Sequence, residues 1–202
     1  MYLKPFPEHI PEDSALFAAV RDGIHEAGNP YFDYLFGDAD RAKNTLKTWL
    51  RRTSSEVSMR RIILAVNGDC EVGGYIALSG KELAACRRAD GIAAVLAAPS
   101  SERLPLQDRM QKIGGLFELP EPDELYLSKI WVQPDLRGAG HGAEILRSFL
   151  QQGEAAGCRK FRLDVAFEKA RVVAMYESAG FRVCTEKSCV AGLRYLGMIR
   201  DV

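Results

Sequence analysis

LYLSKIWVQPDLRGAGHG, residues Leu125 to Gly142, is the stretch that decides the fold. Leu125 to Val132 is an apolar run of strand length. Pro134 ends it, because proline has no amide hydrogen and a fixed φ. The loop Arg137-Gly138-Ala139-Gly140-His141-Gly142 follows. From Ala143 the pattern turns helical, with Ile145, Leu146, Phe149 and Leu150 on one face. Strand, glycine loop and helix start form a place for phosphate. The glycines let backbone N–H groups turn inward, and the helix N-terminus adds about half a positive charge. Arg137 can add a guanidinium fork. A P-loop would close on Gly-Lys-Ser/Thr, whereas this loop closes on His141-Gly142-Ala143. A dinucleotide fold needs G-x-G-x-x-G early in a long alternating chain. Here the spacing is G-x-G-x-G, and only 60 of the 202 residues follow Gly142.

Val132-Gln133-Pro134-x-x-Arg137-Gly138-x-Gly140-x-Gly142 resembles the pyrophosphate loop of the GNAT acyltransferases, Val-x-Pro-x-x-Arg-Gly-x-Gly-x-Gly. A later block is similar to that family's Asn-x-x-Ala-x-x-x-Tyr-x-x-x-Gly-Phe. Tyr176, Gly180 and Phe181 match it, while Lys169 stands where Asn is usual and Val172 where Ala is usual. The resemblance is specific from 124 to 183 and loose elsewhere. It implies an α/β acyl-CoA acyltransferase fold: a central mixed, mostly antiparallel sheet with splayed fourth and fifth strands, flanked by helices. It also implies acetyl-CoA as cosubstrate and direct attack by a primary amine in a ternary complex. The two departures leave open a sensor or scaffold that holds acyl-CoA without turnover. A longer acyl group is a third option.

The whole chain sets bounds. Its 202 residues suit one domain, 1–202. Lys+Arg and Asp+Glu are both 27, so nothing draws the chain toward nucleic acid or anionic lipid. Five cysteines without metal-type spacing read as reduced thiols of a cytoplasmic protein. Met1 to Pro7 has no leader-like apolar core, and no run approaches the ~20 apolar residues of a membrane span.

In chain order, Tyr2 to Phe6 reads as an edge strand. A helix from Ser14 to Glu26 buries Leu16, Phe17, Val20 and Ile24. The aromatic stretch Tyr31 to Gly37 is either a core plug or short helix, or one wall of an acceptor pocket. Asp38 and Asp40 cap a helix to Arg52 with Leu46, Trp49 and Leu50 inward. Arg61 to Val66 and Val72 to Ser79 are strands joined by the Asn67-Gly68-Asp69 turn. Residues 80–122 form a helical insertion where the family has a short connection. Leu83 to Ala98 is helical with a break near Asp90-Gly91, and Pro105 to Leu116 is a second helix. The insertion is a lid, a surface bundle or an oligomer interface; dimers are common in this family. Glu118 to Glu124 carries four acids, either a solvated loop or a lip that gathers a cationic amine. Gly157 stops the helix after the glycine loop. Phe161 to Phe167 is a strand, Lys169 to Ala179 a helix, and strands begin at Phe181 and Leu193.

The resemblance assigns the site residue by residue. Arg137, Gly138, Ala139, Gly140, His141, Gly142 and Ala143 hold the pyrophosphate, mostly through backbone N–H groups. Ile130, Trp131 and Val132 run beside the pantetheine arm, with main-chain contacts from Ile130 and Val132. The Val132 N–H faces the developing oxyanion. Lys169 occupies the cofactor-contacting Asn position. Tyr176 donates to the leaving thiolate, whose conjugate acid lies near ~8.5 against ~10 for tyrosine. An amine of pKa ~10.4 is only about one part in 2,500 neutral at pH 7, so it needs a proton acceptor. Glu124, Tyr126 and Ser128 share one side of the strand by period two, and Glu124 is the one strong base among them. Lys129 then points to the opposite face as a capping or surface residue. His9 and His25 read as surface residues, Asp164 as an orienting group, and no cluster as a metal site. The acceptor is a small-molecule or protein amine.

Overall fold

The computed structural model describes residues 1–189 and 191–202. Seven strands form one sheet in the order β1-β2-β3-β4-β5-β7-β6. They are β1 (Tyr2–Pro5), β2 (Ile62–Asn67), β3 (Cys70–Ser79), β4 (Leu125–Val132), β5 (Lys160–Ala166), β6 (Arg182–Ser188) and β7 (Arg194–Asp201). Every neighbouring pair is antiparallel except β4–β5. That parallel pair is joined at Leu125–Phe161 and Tyr126–Arg162 alone, so the strands part beyond their first residues.

Helices cover both faces, and both faces of the inner strands are buried. On one side lie α1 (Ala15–Gly28), α2 (Tyr31–Phe36), α3 (Ala39–Arg51), α4 (Gly80–Ala97) and α5 (Ser100–Lys112). Their core gathers Phe17, Ile24, Leu46, Ile76, Tyr126 and Trp131. On the other lie α6 (His141–Ala155) and α7 (Ala170–Ser178), over Tyr75, Leu127, Phe149, Phe161 and Met198. The Ser14 hydroxyl accepts from the Phe17 N–H, and the Asp38 carboxylate from the Arg41 N–H, so α1 and α3 start where their caps stand. Among the described residues no helix is long and apolar enough to cross a membrane.

The insertion departs from its sequence reading twice. α4 runs unbroken through Asp90 and Gly91. The Asp90 carboxylate is turned onto the Ser55–Glu56 loop, so it does not compete with its own backbone. α5 starts at Ser100, with Pro105 in its second turn. The carbonyl that this proline cannot serve belongs to exposed Ser101, where water can take it.

Strand β4 carries the main correction. Leu125 and Leu127 belong to one core and Tyr126 to the other, as period two requires. Ile130 and Val132 then face the first core again, and Trp131 the second. The phase slips because Ile76 pairs with Lys129 while Ala77 pairs with Leu127, leaving Ser128 as an extra residue. This is a β-bulge, and it turns Ser128 and Lys129 to the same face.

Candidate active site

One cavity of about 1000 Å³ runs from the glycine loop, past the parting of β4 and β5, to helix α4. At its first end, the loop enters α6 through two left-handed residues, Gly138 (φ +84) and Gly140 (φ +88). A Cβ at either would meet nothing within 4 Å, so backbone conformation, not space, calls for glycine there. Ala143 and Glu144 donate their N–H groups to the Gly140 carbonyl. Among the described residues, the N–H groups of 138 to 142 have no backbone partner. These orphan donors at a helix N-terminus fit a diphosphate anion. Arg137 forms a two-pronged pair with Glu26, at 2.6 and 2.7 Å, and donates from Nε to the Val132 carbonyl. His141 opens α6 and faces Glu144 at 3.3 Å. Lys169 caps α7, and its Nζ donates to the carbonyls of Glu26 and Ala27 at the end of α1. Burial lowers its pKa.

The middle of the cavity is the splay. The Gln133 N–H donates to the Val72 carbonyl on β3. Strand residues alternate their backbone direction, so the Val132 and Ile130 N–H groups point the other way, toward the gap. Trp131 is core: a Cβ on Gly23 of α1 would lie 2.3 Å from its ring, and one on Gly74 at 2.8 Å. Its indole nitrogen is buried without a partner, and its side chain also lines the cavity.

Tyr176 stands across the gap on α7. Its position follows from how that helix ends. The Gly180 N–H bonds the Glu177 carbonyl, and the Phe181 N–H bonds the Tyr176 carbonyl, while Gly180 is left-handed (φ +88). This is a Schellman cap, whose hydrophobic contact joins the residues before and after it. Here that contact is the Tyr176–Phe181 ring pair, 5.8 Å apart. The Tyr-x-x-x-Gly-Phe spacing is therefore a helix stop that pins the tyrosine ring. Burial alone drives the Tyr176 pKa up, so its hydroxyl keeps its proton across the neutral range.

The far end holds a buried charged cluster that sequence reasoning did not find. Glu56, from the loop after α3, accepts from Lys129 Nζ at 3.2 Å, from Arg87 Nε at 3.1 Å and from the Ser128 hydroxyl. Burial would raise its pKa, but Lys129 and Arg87 hold it down at about 2. Arg87 Nη2 donates to the Tyr126 hydroxyl at 3.0 Å, which donates to Asp164 at 2.8 Å. Asp90 accepts from the Ser55 hydroxyl and the Glu56 N–H through one oxygen; its other oxygen is buried without a partner. Burial pushes its pKa up to about 6. Tyr31, Phe32 and Leu35 of α2 line the same end, as do Gly91, Ala94 and Met110 of the insertion. The aromatic stretch is thus a short helix and a cavity wall together.

Four sequence readings change. Lys129 lies against Glu56 and over the Phe32 ring at 5.5 Å, because the bulge turned it inward. Glu124 is buried outside the cavity, accepting from the Glu121 N–H at 2.9 Å and facing Arg162 at 3.6 Å. It is withdrawn as a base for this site. Glu118 pairs with Arg162 and Lys187, and none of 118 to 124 lines the cavity, so no acidic lip forms there. His25 is buried, with Nε2 2.6 Å from Asp33. The missed residues had one signal. Leu83, Arg87, Asp90 and Ala94 recur at helical spacing, which places two charges on the buried stripe of α4.

Comparison with known proteins agrees with this geometry. The model of the acetyltransferase (GNAT) domain matches residues 74–202. The thialysine N-epsilon-acetyltransferase of Sus scrofa is 33% identical over 73 residues, 36% of this chain. Those residues make up 43% of that relative, so the match spans less than half its length. An N-acetyltransferase from Staphylococcus aureus Mu50 superposes with a TM-score of 0.70 at 15% identity, covering 98% of this chain and 100% of that one. Another solved acetyltransferase gives 0.61 at 17% identity, with 100% of both chains covered. These structural likenesses speak for the fold. With the glycine loop, the parted strands and the capped tyrosine helix all inside the matched region, the chain belongs to the GNAT acetyltransferase family.

Proposed function

We propose that this protein is an N-acetyltransferase that moves an acetyl group from acetyl-CoA to a primary amine by direct attack in a ternary complex. The observation that carries this reading is the continuity of one cavity from the glycine loop through the splay to the charged cluster. It lets a coenzyme and an acceptor meet without leaving the protein. Bound acetyl-CoA supplies an activated carbonyl and a thiolate leaving group. The N–H groups of Gly138 to Gly142 hold the diphosphate, with Arg137 and Lys169 beside them. The Val132 N–H donates to the carbonyl oxygen as charge develops there. Tyr176 donates to the departing sulfur and regains, through solvent, the proton that the attacking nitrogen loses, so the tyrosine ends neutral. Glu56 is ionised throughout the neutral range and pinned by two cations, so it orders the acceptor end and is a poor proton acceptor.

The acceptor is a small primary amine that the walls of α2 and the insertion enclose; the thialysine enzyme is named for an amine of that kind. The test is thiol release from acetyl-CoA across a panel of amines. Release with at least one amine, reduced by Tyr176→Phe, supports transfer. Stabilisation by coenzyme without release from any amine would favour the sensor reading, which the Lys169 departure motivates.

A further inference from the structure

Asp90 stands apart from Glu56 and Asp164, the other carboxylates of the charged cluster. Glu56 is held by two cations and a hydroxyl. Asp164 is held by Tyr126. Asp90 is 3% exposed and lines the cavity, yet one of its oxygens has no donor. Arg52 acts on it from the end of α3, but no cation lies within salt-bridge distance among the described residues. A buried carboxylate oxygen without a donor costs free energy, so it marks a place where a ligand can complete the set. The same cavity is lined by the rings of Tyr31, Phe32 and Trp49 and by Ala94, one helical turn from Asp90, a lining that suits methylene groups and tolerates a cation.

We propose that the acceptor carries a second, cationic amine, and that Asp90 reads it, which makes Asp90 a specificity-determining residue of the acceptor site. This rests on the transferase reading. The order of contacts sets the arrangement. Ser128 on β4 touches Glu56, and the Glu56 N–H touches Asp90. Asp90 is therefore the outer end of a chain that begins at the strand beside the splay. One amine sits at the splay, the methylenes lie along the aromatic wall, and the second amine donates to the open Asp90 oxygen. The insertion supplies Asp90, so the extra forty or so residues, 80–122, bring the recognition element rather than cover alone.

The experiment is calorimetric titration of α,ω-diaminoalkanes, propane to octane, against the matching monoalkylamines, on the protein alone and with coenzyme A. At one chain length the diamine binds about tenfold or more tightly than its monoamine. Asp90→Asn collapses that ratio. The variant is expected to fold, since the asparagine oxygen can accept the same two donors while a buried charge is removed. Equal affinity of diamine and monoamine at all lengths overturns the proposal, and so does an unchanged ratio in Asp90→Asn. Thiol release is read in parallel. A diamine preference without release sinks the transferase reading and leaves the Asp90 site standing; release without preference sinks the Asp90 site alone.

Discussion

Glu26→Gln should tighten the binding of coenzyme A. Arg137, the cation of the glycine loop, is engaged by Glu26 through two hydrogen bonds. The guanidinium holds the Glu26 carboxyl below its usual range, so the pair is ionised at neutral pH. An incoming diphosphate must draw Arg137 away and then sit beside the abandoned carboxylate. The two side chains are 44% and 55% exposed, which places the pair among surface salt bridges of about 1 kcal/mol or less. Removing the competitor should therefore lower the coenzyme Kd by up to about fivefold. Calorimetry at low and high salt is the assay, and the gain should shrink as salt screens the exposed pair. Arg137→Ala supplies the control. If Glu26 acts by competing for the guanidinium, Glu26→Gln gains little in that background. An unchanged or weaker Kd for Glu26→Gln would refute the competition. A gain that survives intact in Arg137→Ala would assign the effect to the carboxylate's own field.

Tyr176→Phe should lower kcat by about a hundredfold or more while the melting shift produced by coenzyme A stays, measured by thiol release and thermal unfolding. Gly23→Ala sets a methyl 2.3 Å from the Trp131 ring and should cost about 1–3 kcal/mol in denaturant unfolding. Gly138→Ala meets no neighbour, and its positive φ alone should cost about 1 kcal/mol. Glu56→Gln leaves Lys129 and Arg87 facing each other unpaired in the interior and should cost roughly 3–5 kcal/mol. In the native protein the Glu56 pKa is about 2, below its ordinary 4.5, so its stabilisation is present above pH 4.5 and is lost as pH falls toward 2. Asp90 has the opposite sign: raised from 3.8 to about 6, its contribution is present below 3.8 and lost as pH rises through 6. Melting curves from pH 2 to 8 should lose the first slope in Glu56→Gln and the second in Asp90→Asn.

The glycine loop and the tyrosine helix were legible because their meaning is local. A left-handed residue before a helix, or a glycine stop with an aromatic contact across it, is written in neighbouring positions. The acceptor end was not legible in that way. Glu56 sits in a loop without periodicity, and its partners Arg87 and Lys129 lie 31 and 73 positions away. Asp90 beside Gly91 reads as a helix break, since aspartate beside glycine often marks one, and only the docking of α4 on the Ser55–Glu56 loop reverses that. Glu124 shares the Tyr126 side by alternation, but it stands one residue before β4, and its carboxylate turns to the Glu121 N–H and Arg162 instead of the cavity.

The bulge in β4 has a chemical consequence. Strict alternation through Ser128 would send Lys129 to the Leu127 side, over α6 and α7, and would turn Ile130 and Val132 to the Glu56 side. With the bulge, two polar residues in succession reach Glu56 from the same strand, while Ile130 and Val132 keep their apolar side chains in the opposite core. The bulge lies just before the residues whose N–H groups face the splay. One inserted residue therefore adjusts both halves of the cavity: it sets the backbone phase that the coenzyme arm would meet and builds the charged floor of the acceptor end. Deleting Ser128 should then do more than remove a hydroxyl. It should leave Lys129 on the Glu56 side, opposite Leu127, but close the bulge and draw the strand in by one residue, about 3.3 Å, so that Lys129 and the N–H groups of Ile130 and Val132 cannot both keep their places against Glu56 and the splay. Ser128→Ala keeps the bulge and should retain the fold at a cost of about 1 kcal/mol for the lost hydrogen bond. A deletion no more disruptive than that substitution in unfolding and coenzyme binding would refute the role given to the bulge.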